Sequence, residues 1–272
     1  YVAELEARLG IRLFQRTTRQ LTLTETGEGF YKRIINILEL VDQAEDFVAM
    51  RNTSAKGKLR VSAPSAFTRL HIVPHLAGFK VAYPDIELIL HVNDELDDII
   101  GDGFDVAIRI GELKDSTMHA QTLASEERIL CASSDYLKEN GRPKTLQDLN
   151  GHNCLTSTAQ EHWRLDGPDG AKSYRPRGSM RTNSGEIVRD AVLAGMGIGL
   201  CSTWDVGAAL KAGDLKVVLP KYVGSAGAGI HAVFPSRDFV PAKVHAFIDH
   251  LSEIYAQDTY WKKKNVSRLK AA

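Results

Sequence analysis

The spacing of apolar residues changes along the chain. Phe30, Ile34, Ile37, Val41, Ala44 and Val48 are separated by steps of 4, 3, 4, 3 and 4, the a/d seam of a heptad repeat. Leu38, Leu40 and Phe47 widen the stripe. A lone helix cannot hide such a seam, so the pattern predicts a self-pairing dimerisation helix over 24–51, the other reading being a helix packed on its own domain. Thr24 suits the N-cap, and Glu25 places negative charge in the first turn. Gly27 at the third helical position excludes a capping box. Upstream, Val2, Leu5 and Leu9 have helical spacing, with Gly10 as the stop. Residues 11–14 and 21–24 read as short strands around Arg-Thr-Thr-Arg-Gln. Residues 8–24 hold Arg8, Arg12, Arg16 and Arg19 and no acid, so this hairpin is locally basic.

Beyond a polar stretch, NTSAKGK, taken as a hinge (52–57), the period becomes 2. Leu59 and Val61 alternate with polar residues. A helix is expected over 67–82, then a strand with Ile86, Leu88, Leu90 and Val92 on one face. A short helix over 95–102 and buried strands over 105–110 and 128–132 follow. The next helix is placed near Asp135, with Ser134 as its cap. Such alternation predicts a mostly parallel sheet with flanking helices. The middle of the chain gives a short helix and strand in TLQDLNGHNCLTS, and a hairpin about the Gly-Pro-Asp-Gly turn after Trp163. A helix and strand follow in NSGEIVRDAVLAGMGIGL, then a helix over 203–211 and strands over 215–219 and 230–236. An amphipathic helix presents Val244, Phe247, Ile248, Leu251 and Ile254 on one side.

Length adds that 272 residues exceed one small core, so at least two domains are expected. Equal numbers of basic and acidic residues, 34 each, exclude a uniformly basic coat but not a local basic patch. Three dispersed cysteines fit a reducing compartment better than a disulfide framework. No apolar run reaches the ~18 residues of a membrane span.

Catalytic constellations fail individually. Gly195, Gly197 and Gly199 follow a helix and precede a strand, the reverse of a dinucleotide fingerprint. Gly195 reads instead as a helix stop, and the other two as sites of close backbone approach. His71 and His75 have metal-compatible spacing, but Pro74 interrupts it and no acidic third ligand is near. Cys131 sits between Leu130 and Ala132 and reads as a small core residue. No nucleophile–base set emerges, so no enzyme and no cofactor or metal are expected.

Small polar residues do recur where strands hand over to helices. Open α/β folds bind ligands outside the carboxyl ends of strands, where helix N-termini offer free N–H groups. Ser62, Ser65, Asn93, Ser133, Asn183, Ser184 and Ser202, joined by Phe67 and Arg109, are the candidate effector-binding residues. Each Ser or Asn alone is also readable as a simple N-cap. Arg109 with the helix start at Ser184 suits a carboxylate, and Arg109 is equally readable as exposed on a lobe or paired with Glu112.

ELEARLGIRLFQRTTRQLTLTETGEGFY resembles the end of the winged helix-turn-helix of LysR-type transcriptional regulators. The order is helix, Leu-Gly, Leu-Phe, Arg-Thr, Leu-Thr, then Gly and a long linker helix. KLRVSAPSAF, FDVAIRIGEL, ILCASSDYL and NSGEIVRDAVLAGMGIGL resemble that family's effector domain at matching places. The resemblance covers the chain apart from its tail. It implies an α/β, periplasmic-binding-protein-like, two-lobed effector domain, preceded by a linker helix and the remnant of a winged helix-turn-helix. The implied parts are DNA-binding remnant 1–23, linker 24–51 and effector domain 58–260, with a tail over 261–272. Lobe I takes about 58–127 and 229–260, lobe II about 128–228, and the chain crosses near 125–128 and 227–230. The family is cytoplasmic and regulates transcription as a homodimer or tetramer, with DNA and a small effector as partners and no membrane. Gln15, Arg16, Thr17, Thr18 and Arg19 match the wing, which reaches phosphate or the minor groove. The family's two earlier helices and the start of its recognition helix precede the match to Tyr1. Specific operator binding is therefore not expected of residues 1–272 as they stand. The alternative with the same bilobal fold is an extracytoplasmic solute-binding protein, which leaves the basic hairpin and heptad helix unexplained.

Overall fold

In a computed structural model of the protein, residues 1–16, 21–49, 55–94, 98–113, 118–224, 229–235 and 240–257 are described. Helix α1 (Val2–Leu9) ends at Gly10, whose φ of 68° is the left-handed conformation of a glycine stop. Strands β1 (Phe14–Arg16) and β2 (Leu21–Leu23) pair antiparallel, Phe14 opposite Leu23. The long helix α2 (Glu25–Ala49) follows. Thr24 caps it: Gly27 N donates to Thr24 Oγ1 at 2.9 Å. The same hydroxyl donates to the Arg12 carbonyl, and Glu6 Oε1 accepts the Leu13 and Phe14 amides. These bonds weld α1, the hairpin and the start of α2 into one unit.

The first lobe begins with β3 (Gly57–Ala63), α3 (Ser65–Phe67), α4 (Leu76–Ala82), β4 (Ile86–Val92), β5 (Val106–Gly111) and β6 (Met118–Ser125). The second lobe holds β7 (Arg128–Ser133), α5 (Ser134–Asn140), β8 (Cys154–Ser157), β9 (Trp163–Gly167), β10 (Gly170–Tyr174), β11 (Arg181–Thr182), α6 (Gly185–Leu193), β12 (Ile198–Ser202), α7 (Thr203–Ala212), β13 (Leu215–Val217) and β14 (Val223–Gly224). The chain then returns to the first lobe as β15 (Gly229–Pro235) and α8 (Ala242–Gln257).

Each lobe is organised by its own sheet. The first has the order β4-β3-β5-β15-β6. Its core joins Leu59, Val61 and Phe67 to Phe247, Ile248 and Leu251 of α8. In the second, side chains alternate across the sheet. Ile129 and Cys131 meet α6 and α7 on one face, while Leu130 and Ala132 meet Tyr136 and Trp163 on the other. Burial on both faces explains the unbroken apolar run that contains Cys131.

Several expectations need correction. Neither sheet is mostly parallel: β3 pairs parallel with β4 and β5, but β15 is antiparallel to both β5 and β6. In the second sheet β12 is parallel to β8 and antiparallel to β7. Strands that leave or re-enter a lobe run against the βα units already there. The helix expected over 67–82 is broken by Pro74 into α3, a π turn (Thr68–Ile72), a 3-10 turn (Val73–His75) and α4. Of the helix expected over 95–102, residues 99–102 form turns and 95–97 lie outside the described residues. Strand β6 carried no recognisable alternation, because most of its side chains are solvent-facing or half-buried.

The cap of α5 is Ser133 rather than Ser134. Ser133 Oγ accepts the Tyr136 amide at 3.1 Å, while Ser134 Oγ donates to the Gly213 carbonyl. Ser133→Ala is expected to cost about 1 kcal/mol, read as a lower urea midpoint with unchanged slope. Helix α6 closes with the predicted glycine: Gly195 (φ 81°) donates to the Val192 carbonyl and Met196 to that of Ala191, a Schellman pattern.

Candidate effector cleft and its inter-lobe contacts

The ends of three first-lobe strands face the second lobe across a cavity of about 210 Å³. Pro64, Asn93, Asp94, Arg109 and Ile110 line one wall. Arg128, Gln160, Asn183, Ser202, Trp204 and Asp205 are prominent on the other. An apolar cavity of ~150 Å³ holds benzene, so this one suits a molecule of roughly eight non-hydrogen atoms.

Helices α6 and α7 both start on the second-lobe wall, and neither is capped by the side chain before it. Ser184 Oγ instead donates across the cleft to Asp94 Oδ2 at 3.3 Å. Ser202 Oγ donates to Glu126 Oε1 at 2.5 Å. Both helix starts therefore keep amides that no cap side chain satisfies, with the positive end of each dipole towards the cavity.

The acids of those first turns, Glu186 and Asp205, share one cation. Arg189, nearly buried, bridges Glu186, Asp190 and Asp205. Arg69 of the first lobe also pairs with Glu186, closing a chain of charges across the lobes. Burial pushes Glu186 up, but hydrogen bonds from Arg69 and Arg189 outweigh it and hold the carboxyl below its usual range. At Asp205 burial wins and the carboxyl is raised, despite Arg189 beside it. Burial also opposes the Arg189 charge, but Asp205 and its other acid partners more than offset this and raise it.

A second buried cluster sits where the chain crosses between lobes. The Glu126 side chain is fully buried and receives Arg128 Nε at 3.0 Å. Oriented by its hydrogen bonds, the Gln160 amide accepts from Arg128 Nη1 at 3.1 Å and donates to the Leu200 carbonyl. The guanidinium on the cavity wall is thus locked on several sides.

The sequence-derived effector candidates separate into groups. Asn93, Arg109, Asn183 and Ser202 line the cavity. Ser62 lies behind it, fully buried, with its Oγ accepting Arg109 Nη1 at 3.2 Å. Ser65 and Ser184 both bond Asp94, through the Ser65 amide and the Ser184 hydroxyl. Phe67 is buried in the first-lobe core, edge-on to Trp204 and Tyr255. Ser133 lies elsewhere. Strand β7 runs antiparallel to β12, with Arg128 opposite Ser202, so its amino end faces the cleft. Its carboxyl end, with Ser133, lies about 17 Å away at ~3.4 Å per residue.

Sequence reading missed Glu126, Arg128, Gln160, Arg189, Trp204 and Asp205 as site residues. The one available signal was position, since Glu126 and Arg128 fall in the expected crossing. His71 serves a different purpose from metal binding: its Nε2 donates to the Trp204 carbonyl at 3.1 Å. The cysteines are free and buried. Hydrogen bonding to Cys131 and burial push the Cys201 thiol well up, and burial pushes Cys154 up to about 11, the reverse of an activated nucleophile.

In the basic hairpin Gln15 is exposed opposite Thr22 and Arg16 pairs with Leu21. Thr17, Thr18 and Arg19 lie outside the described residues. On α2, Phe30 and Ile34 are half-buried while Ile37 and Val41 are 53% and 49% exposed. The side chains of Ala44 and Val48 lie outside the described set.

Residues 52–256 match the family of the LysR substrate binding domain, and residues 1–28 match the bacterial regulatory helix-turn-helix of the lysR family. This chain belongs to the LysR family. Among relatives of this LysR-type regulator, the HTH-type transcriptional regulator DmlR of Escherichia coli is 36% identical over 260 residues, covering 94% of this chain and 84% of DmlR. The HTH-type transcriptional activator TtdR of the same species is 32% identical over 252 residues, covering 91% and 81%. Among solved structures, full-length AphB, a virulence activator of Vibrio cholerae, superposes with a TM-score of 0.68 at 31% identity, covering 92% of this chain and 86% of AphB. CrgA, a LysR-type regulator from Neisseria meningitidis, gives 0.68 and 31%, covering 94% and 88%. The chain is a transcriptional regulator with a two-lobed effector domain, as the motif resemblance implied. The comparisons lend no support to the solute-binding alternative. Among the described residues, no helix is long and apolar enough to cross a membrane.

Proposed function

We propose that this LysR-type regulator senses a small carboxylate in the inter-lobe cleft and conveys its presence to DNA through the α2 helix. The observation that carries the reading is the meeting of Arg109 with the starts of α6 and α7 around one cavity. Ser62 braces Arg109 from behind, and Arg189 pairs with the acid of each helix turn. Together they suit an anionic oxygen pair: a guanidinium offers a fork of donors, and helix starts offer amides.

The exposed Ile37 and Val41 on α2 are the natural seat of a second copy through the heptad seam, giving a homodimer. The wing, from Gln15 to Arg19, then makes backbone or minor-groove contacts with DNA. The effector domain acts by binding, without chemistry on its ligand, in the cytoplasm. Residues 1–23, 24–51 and 58–260 serve as DNA-binding, dimerisation and effector parts.

The test is a thermal-shift screen across small mono- and dicarboxylates, amino acids and neutral sugars. A ligand at 100 times its Kd stabilises by about 2.7 kcal/mol. Carboxylates should stand out, and Arg109→Gln should weaken them about 10- to 100-fold, the value of a charged hydrogen bond. Equal carboxylate affinity in Arg109→Gln, or a response to sugars alone, would rule the anion reading out.

A further inference from the structure

Four consecutive residues at the start of α7 each grip a different part of the molecule. Ser202 Oγ donates to Glu126 of the crossing segment. The Thr203 amide donates to the neighbouring Glu127 carbonyl at 2.9 Å. Trp204, although in the second lobe, packs on the first-lobe core, edge-on to Phe67 (5.3 Å, 87°) and His71 (5.7 Å, 86°). Its carbonyl accepts from His71 Nε2. Asp205 pairs with Arg189, which leads through Glu186 to Arg69 of the first lobe. Ser202, Trp204 and Asp205 also line the cavity.

Among the described residues, two buried polar atoms in this turn have no hydrogen-bond partner: Thr203 Oγ1 and Trp204 Nε1. Unpaired buried donors are rare and costly. The turn is tightly held and incompletely satisfied at once.

We infer that the turn Ser202-Thr203-Trp204-Asp205 is the joint that sets the angle between the lobes. Its Ser202 and Thr203 end clamps the crossing segment, and its Trp204 ring is the peg against the first lobe. A molecule in the cavity touches the joint directly, so occupancy is read out as lobe angle. That last step rests on the cleft being the effector site, whereas the joint itself does not.

The experiment uses the ligand-free full chain and follows amide hydrogen exchange with small-angle scattering. In Ser202→Ala, exchange over 125–128 should quicken at least tenfold, while protection of Leu59–Val61 and Ile129–Ala132 stays as in the parent. In Trp204→Ala the radius of gyration should rise and exchange around Phe67 and His71 should quicken. Trp204→Phe keeps an aromatic ring but loses the five-membered half of the indole with its N–H, so both readouts should fall between those of the parent and of Trp204→Ala. Unaltered exchange over 125–128 in Ser202→Ala, or an unaltered radius in Trp204→Ala, would overturn the joint. Because the lobe cores are monitored separately, general unfolding is recognised as loss of protection at both. A failed carboxylate screen would bear on the ligand and leave these ligand-free readouts standing.

Discussion

Arg189→Met should lower the stability of the effector domain by about 3–5 kcal/mol, the usual result of stripping one partner from a buried ion pair. For a domain of this size that is a fall in Tm of roughly 6–20 °C. Arg189 is the shared cation of Glu186, Asp190 and Asp205, and the Asp205 side chain is only 7% exposed. Without it, Asp205 becomes a buried and unbalanced carboxylate at neutral pH.

The loss should depend on pH in a definite direction. Burial already holds Asp205 above its usual range, and losing Arg189 raises it further. A carboxyl raised by folding carries no penalty below its unfolded pKa of about 4, where both states hold the proton. The penalty grows as pH climbs towards the folded value and is complete above it. Glu186, held low by Arg69 and Arg189, has the opposite sign: its contribution is present above the unfolded pKa and fades as pH falls through the folded one. Thermal melts of parent and variant at pH 4.5 and 7.5 should therefore differ more at the higher pH. Adding Asp205→Leu should recover most of the loss, since an apolar replacement of a buried pair is often neutral. A variant equally destabilised at both pH values would show that the damage is packing and not charge.

Gly27→Ala should destabilise the N-terminal unit, although helix propensity alone predicts a gain of about 1 kcal/mol. The reason is contact. A Cβ at this position would stand 2.0 Å from the Leu13 carbonyl oxygen and 2.9 Å from its carbon. Both are backbone atoms, so the hairpin would have to lift off α2. Overpacking of this kind costs about 1–3 kcal/mol. The measurement is protease sensitivity between α1 and α2, with effector-domain melting as the internal control. A more resistant Gly27→Ala protein would show that the hairpin is not seated there.

Much of the architecture was legible because periodicity reports burial. The heptad on α2, the alternation of β4 and the helix-glycine-strand order of α6 and β12 needed only local information. Gly27 was noticed as a missing capping box, but its cause, the Leu13 carbonyl, lies fourteen residues earlier in the chain and is invisible locally. Strand direction was also beyond local pattern. Assuming parallel strands put Ser133 beside the cleft, whereas β7 points its carboxyl end away. For the same reason Arg128, at the amino end, was passed over. Trp204 and Glu126 were missed because their importance lies in crossing from one lobe to the other. An aromatic residue in a helix and an acid in a loop have ordinary local readings.

The seating of Leu13 against Gly27 has a mechanical consequence. Because the hairpin rests on the first turn of α2 through backbone contact, the two must turn together. A helix of 25 residues is about 37 Å long at 1.5 Å per residue. Tilting it by roughly 10° about its far end would sweep the basic hairpin through about 6 Å, the scale on which a phosphate contact is made or lost. On the proposed reading the helix is therefore a lever arm with the hairpin clamped at its tip, and its pitch is what DNA would feel.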